Sequence, residues 1–99
     1  MYRIEYAEGI ADDLARLRPY DRNQILDQLE ERLTYEPTKK TRHRKPLPSL
    51  IPPWAYIEPV WELRLGAYRI FYDVDEQTSL VKIRAIRHKP PHRTTEEIL

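Results

Sequence analysis

A chain of 99 residues, 40% apolar and 33% charged, can form one domain around one modest core and is too apolar to be a disordered tract. With no cysteine, neither disulfides nor thiolate metal sites hold it together, which fits a reducing cytoplasm. The net charge of +1 hides an uneven distribution. The block KKTRHRK, residues 39–45, contains Lys39, Lys40, Arg42, Arg44 and Lys45 and no acid; those five of the 17 basic residues leave 12 against 16 acidic ones elsewhere. Such a block is the footprint of a polyanion partner or a solvated loop. The opening MYRIEYAEGI lacks the long apolar run of a leader and no segment could span a bilayer, so the expectation is a cytoplasmic protein with no membrane partner.

Taken in order, Tyr2 to Tyr6 reads as a short strand with Tyr2, Ile4 and Tyr6 on one face. An acidic start at Glu8–Asp13 then leads into Ile10, Leu14 and Leu17 at helical spacing, carboxylates at the positive end of the dipole. Pro19 separates this helix from the next. There Asp21 is the expected N-cap, Ile25, Leu26, Leu29 and Leu33 form the apolar stripe, and Pro37 is the stop. Two such stripes make an antiparallel helical hairpin packed on a core. After the basic block, PLPSLIPPWAYIEPV (residues 46–60) holds five of the nine prolines. They rule out a helix and disfavour a central strand. Leu47, Leu50, Ile51, Trp54, Tyr56 and Ile57 are nonetheless too apolar for a free linker. The stretch is either a stiff loop packed over the core or a docking surface at the rim of a groove.

Trp61 to Asp75, WELRLGAYRIFYDVD, reads as a hairpin with a two-residue type II′ turn at Gly66-Ala67. Trp61, Leu63, Leu65, Tyr68, Ile70, Tyr72 and Val74 take its apolar face. Leu80 to His88 is a further strand, with Val81, Ile83 and Ala85 on one face and Lys82, Arg84, Ile86 and His88 on the other. A last helical turn is expected within 92–99. The order β-α-α-β-β-β is that of an α+β two-layer domain, a mainly antiparallel sheet with a helical hairpin on one face. The second face, left without helices, would carry Arg64, Arg69, Phe71, Lys82, Arg84 and His88; a one-residue register shift would invert that assignment.

The element order, the tract from Trp61 to Asp75 with its L-R-x-G-x-Y-R-x-F-Y pattern, and the strand ending A-I-R-H-K at Ala85–Lys89 together resemble the RelE/ParE superfamily of bacterial type II toxins. The resemblance covers nearly the whole chain, including the R-H-R-K-P-L step at Arg42–Leu47. It implies a toxin neutralised by a small antitoxin protein. In the RelE branch the toxin cleaves mRNA in the ribosomal A site; in the ParE branch it poisons DNA gyrase without nuclease activity. A third possibility is a detoxified domain that retains only antitoxin binding.

Metal-independent RNA cleavage uses the neighbouring 2′-hydroxyl as nucleophile, and neither a metal nor another cofactor is expected. The resemblance assigns phosphate stabilisation to Arg69. Arg64, facing it across the turn, is expected to hold a flanking phosphate through the planar fork that suits two phosphate oxygens. The alternative for both is a cross-strand ion pair with Glu62 or Asp73. His88 and Lys45 are the other catalytic candidates, for proton transfer and charge stabilisation. Lys39, Lys40, Arg42, Arg44, Arg84 and Lys89 complete the expected RNA-binding surface, with Phe71 as a base-stacking aromatic. Nucleolytic relatives often carry a tyrosine or histidine after the last strand. Here no tyrosine follows Tyr72 and His92 is the residue of that kind, so the non-catalytic readings stay open.

Overall fold

The computed structural model describes all 99 residues. In chain order the elements are β1 (Arg3–Tyr6), α1 (Ile10–Ala15), α2 (Pro19–Leu33), β2 (Arg44–Leu47), β3 (Val60–Leu65), β4 (Tyr68–Asp75), β5 (Leu80–His88) and a closing 3-10 turn at Glu96–Ile98. The five strands form one sheet in the order β1-β5-β4-β3-β2. β1 runs parallel to β5 and every other pairing is antiparallel. This is the expected α+β architecture with one strand more.

Local chemistry explains the boundaries. Gly9, at φ 92, turns the chain into α1, a left-handed conformation that suits a residue without Cβ. α2 begins two residues before the expected cap. Pro19 occupies its first turn, where a missing N–H costs nothing and φ is already helical, so Arg18 is the N-cap and Asp21 lies inside the helix. β2 is the additional strand. Its composition, basic and proline-bearing, reads as loop, but it lies at the sheet edge, where Pro46 is tolerated, and pairs with β3 from Arg44↔Leu63 to Leu47↔Val60.

The helical layer buries Ile10, Ile25, Leu29 and Leu33 against Trp61, Leu63, Leu65, Ile70, Tyr72, Val81, Ile83 and Ile86. Tyr72 also ties the chain leaving α2 to this core, its hydroxyl donating to the Pro37 carbonyl at 2.6 Å. Burial pushes that phenol's pKa upward, which keeps it a donor.

The β5 faces differ from strict alternation. Phe71 pairs with Ala85 but Tyr72 pairs with Ile83, leaving Arg84 as the extra residue of a bulge. Beyond it every side chain changes face. Ala85 joins Val60 and Phe71 on the side away from the helices, and Ile86 enters the helix-side core. His88 pairs with Tyr68, its ring 5.5 Å from the phenol of that residue, and Tyr68 packs on the helix-side core.

Nor is the second sheet face open. Leu47, Leu50, Trp54 and Tyr56 fold over Val60, Phe71 and Ala85 together with Ile98 and Leu99. Of the two readings of residues 46–60, the packed loop is the one observed. Asp73 pins it there. This carboxylate, 1% exposed, accepts from Arg84 Nε at 2.8 Å and Nη2 at 3.3 Å and from the Ile57 amide at 3.1 Å. Where β1 stops, α1 protects the exposed edge of β5. Asp13 accepts from the Ile86 amide at 3.0 Å and from Arg87 Nη1 at 2.7 Å. No helix is long and apolar enough to cross a membrane.

Candidate functional site

A cluster of charged groups lies at one end of the sheet, on and beside the strands joined by the turn from β3 to β4. Gly66 has φ +59 and Ala67 does not share the positive φ, as a type II′ turn requires. That turn fixes the register, so Arg64 and Arg69 lie directly opposite each other, and Arg69 is opposite Arg87 on β5. On the other side the Arg64 amide donates to the His43 carbonyl at 2.7 Å, extending the ladder to the tip of a tight turn. Reciprocal bonds between Thr41 and Arg44, at 2.8 and 3.3 Å, close that turn. Its His43 amide donates to Thr41 Oγ1 at 3.2 Å. Between this Thr41–Arg44 turn, with β2 behind it, and the facing β3 is a cleft of about 80 Å³ lined by Arg42, His43, Arg44, Lys45, Glu62 and Arg64. No hydrophobic residue lines it, and it is far smaller than the roughly 300–1,000 Å³ of pockets that enclose whole small molecules. A phosphoryl-sized anion suits it.

Arg69, opposite the cleft-lining Arg64, is 7% exposed, its Nη1 donating to the Gly66 and Tyr68 carbonyls, both at 2.8 Å. Its guanidinium therefore clasps the turn and is held rigidly. Burial, followed by the neighbouring charge of Arg64, pushes its pKa down, and Glu62 works against both. Glu62 is itself buried and accepts from Thr95 Oγ1 at 2.9 Å. Two facing guanidiniums with so little compensation are unfavourable until an anion enters between them.

The remaining expected site residues divide clearly. Lys45 stands opposite Glu62, exposed and in no ion pair, and Lys40, Arg42 and Arg64 are likewise exposed and unpaired. Lys39 makes a solvent-exposed pair with Glu36 at 3.4 Å, of a kind worth little. Lys89 is held at the same end by its amide, which donates to the Ala67 carbonyl at 2.7 Å. Four expectations need correction. Arg44 turns to the helical layer, where Nη1 donates to the carbonyls of Arg32 and Glu36, both at 2.7 Å, and caps the carbonyl end of α2. Arg84 is committed to Asp73. Phe71 is fully buried, with the Trp54 ring 5.7 Å away, and has no face to offer a base. His88 sits beside Tyr68, away from the cleft, because the bulge reversed its face.

One residue went unselected in the sequence, His43. Within R-H-R-K its imidazole is outnumbered by cations, and only the fold shows that it lines the cleft. No group of three or more His, Asp or Glu side chains is placed to hold a metal ion.

Adjacent residues 44 and 45 provide a direct check of these assignments. Arg44→Ala is expected to destabilise the fold by about 1.5–3 kcal/mol, the range for hydrogen bonds made by a charged group. Lys45→Ala should stay within about 0.5 kcal/mol of the parent, as surface changes do. Urea denaturation of the two variants measures the contrast.

Residues 4–89 match the family model for the ParE toxin of type II toxin–antitoxin system, parDE. Among solved structures, the chain is similar to one in the toxin–antitoxin complex RelBE2 from Mycobacterium tuberculosis. The identity is 25%, the match covers 89% of this chain and 98% of that one, and the TM-score is 0.68. The archaeal RelE–RelB complex from Pyrococcus horikoshii OT3 shares the fold at 23% identity, TM-score 0.69, covering 94% and 98%. So does the isolated E. coli RelE toxin, at 15% identity, TM-score 0.64, covering 98% and 92%. No curated protein matches the chain in sequence.

Proposed function

The chain belongs to the RelE/ParE superfamily of type II toxins, and from that premise we propose that it is a RelE-like, ribosome-dependent mRNA endonuclease that inhibits translation. The observation that carries this reading is the small cleft between the Thr41–Arg44 turn and β3, lined only by polar and charged residues, with Arg64 in its lining and Arg69 directly opposite Arg64 across the hairpin. In the reaction the 2′-oxygen attacks the adjacent phosphorus, the bond to the 5′-oxygen breaks, and a cyclic phosphate and a 5′-hydroxyl result. The protein's task is to stabilise the charge gathering on the non-bridging oxygens. Arg69, fixed by two backbone carbonyls, needs no reorganisation to do so, and preorganised donors of this kind usually make the largest contribution. Arg64 is free to swing onto the same phosphate. Arg42 and Lys40 lie along the flanking chain, where they neutralise neighbouring phosphates, and Lys45 is close enough to serve the scissile one.

A ParE-like gyrase poison is the second reading. The family model that matches is that of ParE, and no tyrosine follows Tyr72. Purified protein incubated with translating ribosomes separates the two. Fragments ending in a cyclic phosphate within the A-site codon support the endonuclease. Intact transcripts, with double-strand DNA breaks in growth-arrested cells, support the gyrase poison, and harmless overexpression supports a detoxified domain.

The partner we expect first is an antitoxin, by analogy with the RelBE complexes that the fold resembles. Such partners are typically disordered segments that fold on binding. The proline stretch turns most of its large side chains inward, so the apolar surface left for a helix is elsewhere. It is a groove of about 470 Å³ between β1 and the helices, lined by Tyr6, Ala7, Ile10, Ala11, Leu14 and Leu26.

A further inference from the structure

We propose that His43 is the general base of this cleavage, accepting the proton of the 2′-hydroxyl; the inference rests on the endonuclease reading and deepens it. The cleft contains Arg42, Arg44, Lys45 and Arg64, which are cations at neutral pH, and Glu62, which is buried and engaged by Thr95. Among these groups, imidazole is the one whose ordinary titration range makes it both a competent acceptor and a competent donor there. The other candidate on the finished strands, His88, lies against Tyr68 on the helical side.

Its setting fits the role. His43 is exposed at the tip of the Thr41–Arg44 turn, and its backbone is held at both ends: the amide by Thr41 Oγ1 and the carbonyl by the Arg64 amide. That second bond places it one strand spacing from Arg64, hence beside the phosphate that Arg64 and Arg69 hold. A side chain with a fixed backbone and a free ring can reach the 2′-oxygen next to that phosphate without disturbing the sheet.

The step balances without any co-reactant. The neutral imidazole takes the 2′-hydroxyl proton as the 2′-oxygen bonds to phosphorus. The bond from phosphorus to the 5′-oxygen breaks, and that oxygen takes a proton from the Lys45 ammonium. The imidazolium and the amine then re-equilibrate through water.

The test is single-turnover cleavage of mRNA on programmed ribosomes across pH, with wild type, His43→Gln and His88→Gln. Both histidines are exposed, so all three proteins should melt alike. The expected result is a rate about 10²–10⁴-fold lower for His43→Gln, the range for loss of a positioned acid or base, and disappearance of the acid limb of the pH profile. His88→Gln should keep both rate and profile. A wild-type rate and profile in His43→Gln, or their loss in His88→Gln alone, overturns the assignment while leaving the endonuclease intact. No cleavage by wild type overturns the endonuclease reading and this inference with it.

Discussion

Replacing Arg64 with alanine is expected to lower mRNA cleavage about 10–10²-fold, the equivalent of the roughly 1.5–3 kcal/mol of a hydrogen bond made by a charged group. The same substitution should leave the melting temperature within about 4 °C, since changes at exposed, unengaged sites stay near 0.5 kcal/mol. The Arg64 side chain is exposed, makes no ion pair and hydrogen-bonds to nothing in the chain. In the free protein its charge only opposes that of Arg69, so its expected favourable role is toward a bound anion. Arg69 is a poorer probe. Arg69→Ala would remove two hydrogen bonds that clasp the β3–β4 turn and so lose stability along with activity. Cleavage by Arg64→Ala at the wild-type rate would mean that the scissile phosphate is held elsewhere.

Asp73→Ala should damage the fold severely although the residue touches no helix. It is expected to cost on the order of 3 kcal/mol, as breaking a buried ion pair does. For a domain of this size that lowers Tm by roughly 10–20 °C. Two consequences combine. Arg84, with its side chain only 16% exposed, is left without its partner, and the Ile57 amide loses its acceptor, so the loop carrying Trp54 and Tyr56 comes loose from Phe71. Thermal melts read the first consequence. A rise in tryptophan accessibility to a quencher reads the second. An unchanged Tm would mean that the loop is held by its apolar contacts alone.

Periodicity made much of this legible in advance. The two helical stripes and the alternation from Trp61 to Val74 are strong signals, and a two-residue turn fixes register, so the facing pair Arg64 and Arg69 could be read directly. What stayed hidden has local causes. An inserted residue such as Arg84 leaves no mark on composition, yet it moved Ala85, Ile86 and His88 to opposite faces from those expected. The strand at Arg44–Leu47 was masked by its charges and by Pro46, both of which an edge tolerates. Arg44 and Lys45 look alike in the chain; pleating sends one to cap a helix and leaves the other beside the cleft. Phe71 looked exposed because the face it occupies has no helix. The cover comes instead from residues 46–57 and the C-terminal Ile98 and Leu99, whose contacts are too distant in sequence to be read as a pattern.

The most direct measurement is to map mRNA ends by primer extension after wild-type or Arg64→Ala protein is added to ribosomes stalled at a defined codon. If Arg64 and Arg69 hold the scissile phosphate beside the cleft, wild type yields a strong stop within the A-site codon and Arg64→Ala yields almost none. Full-length message with both proteins, or the same stop with both, would contradict it.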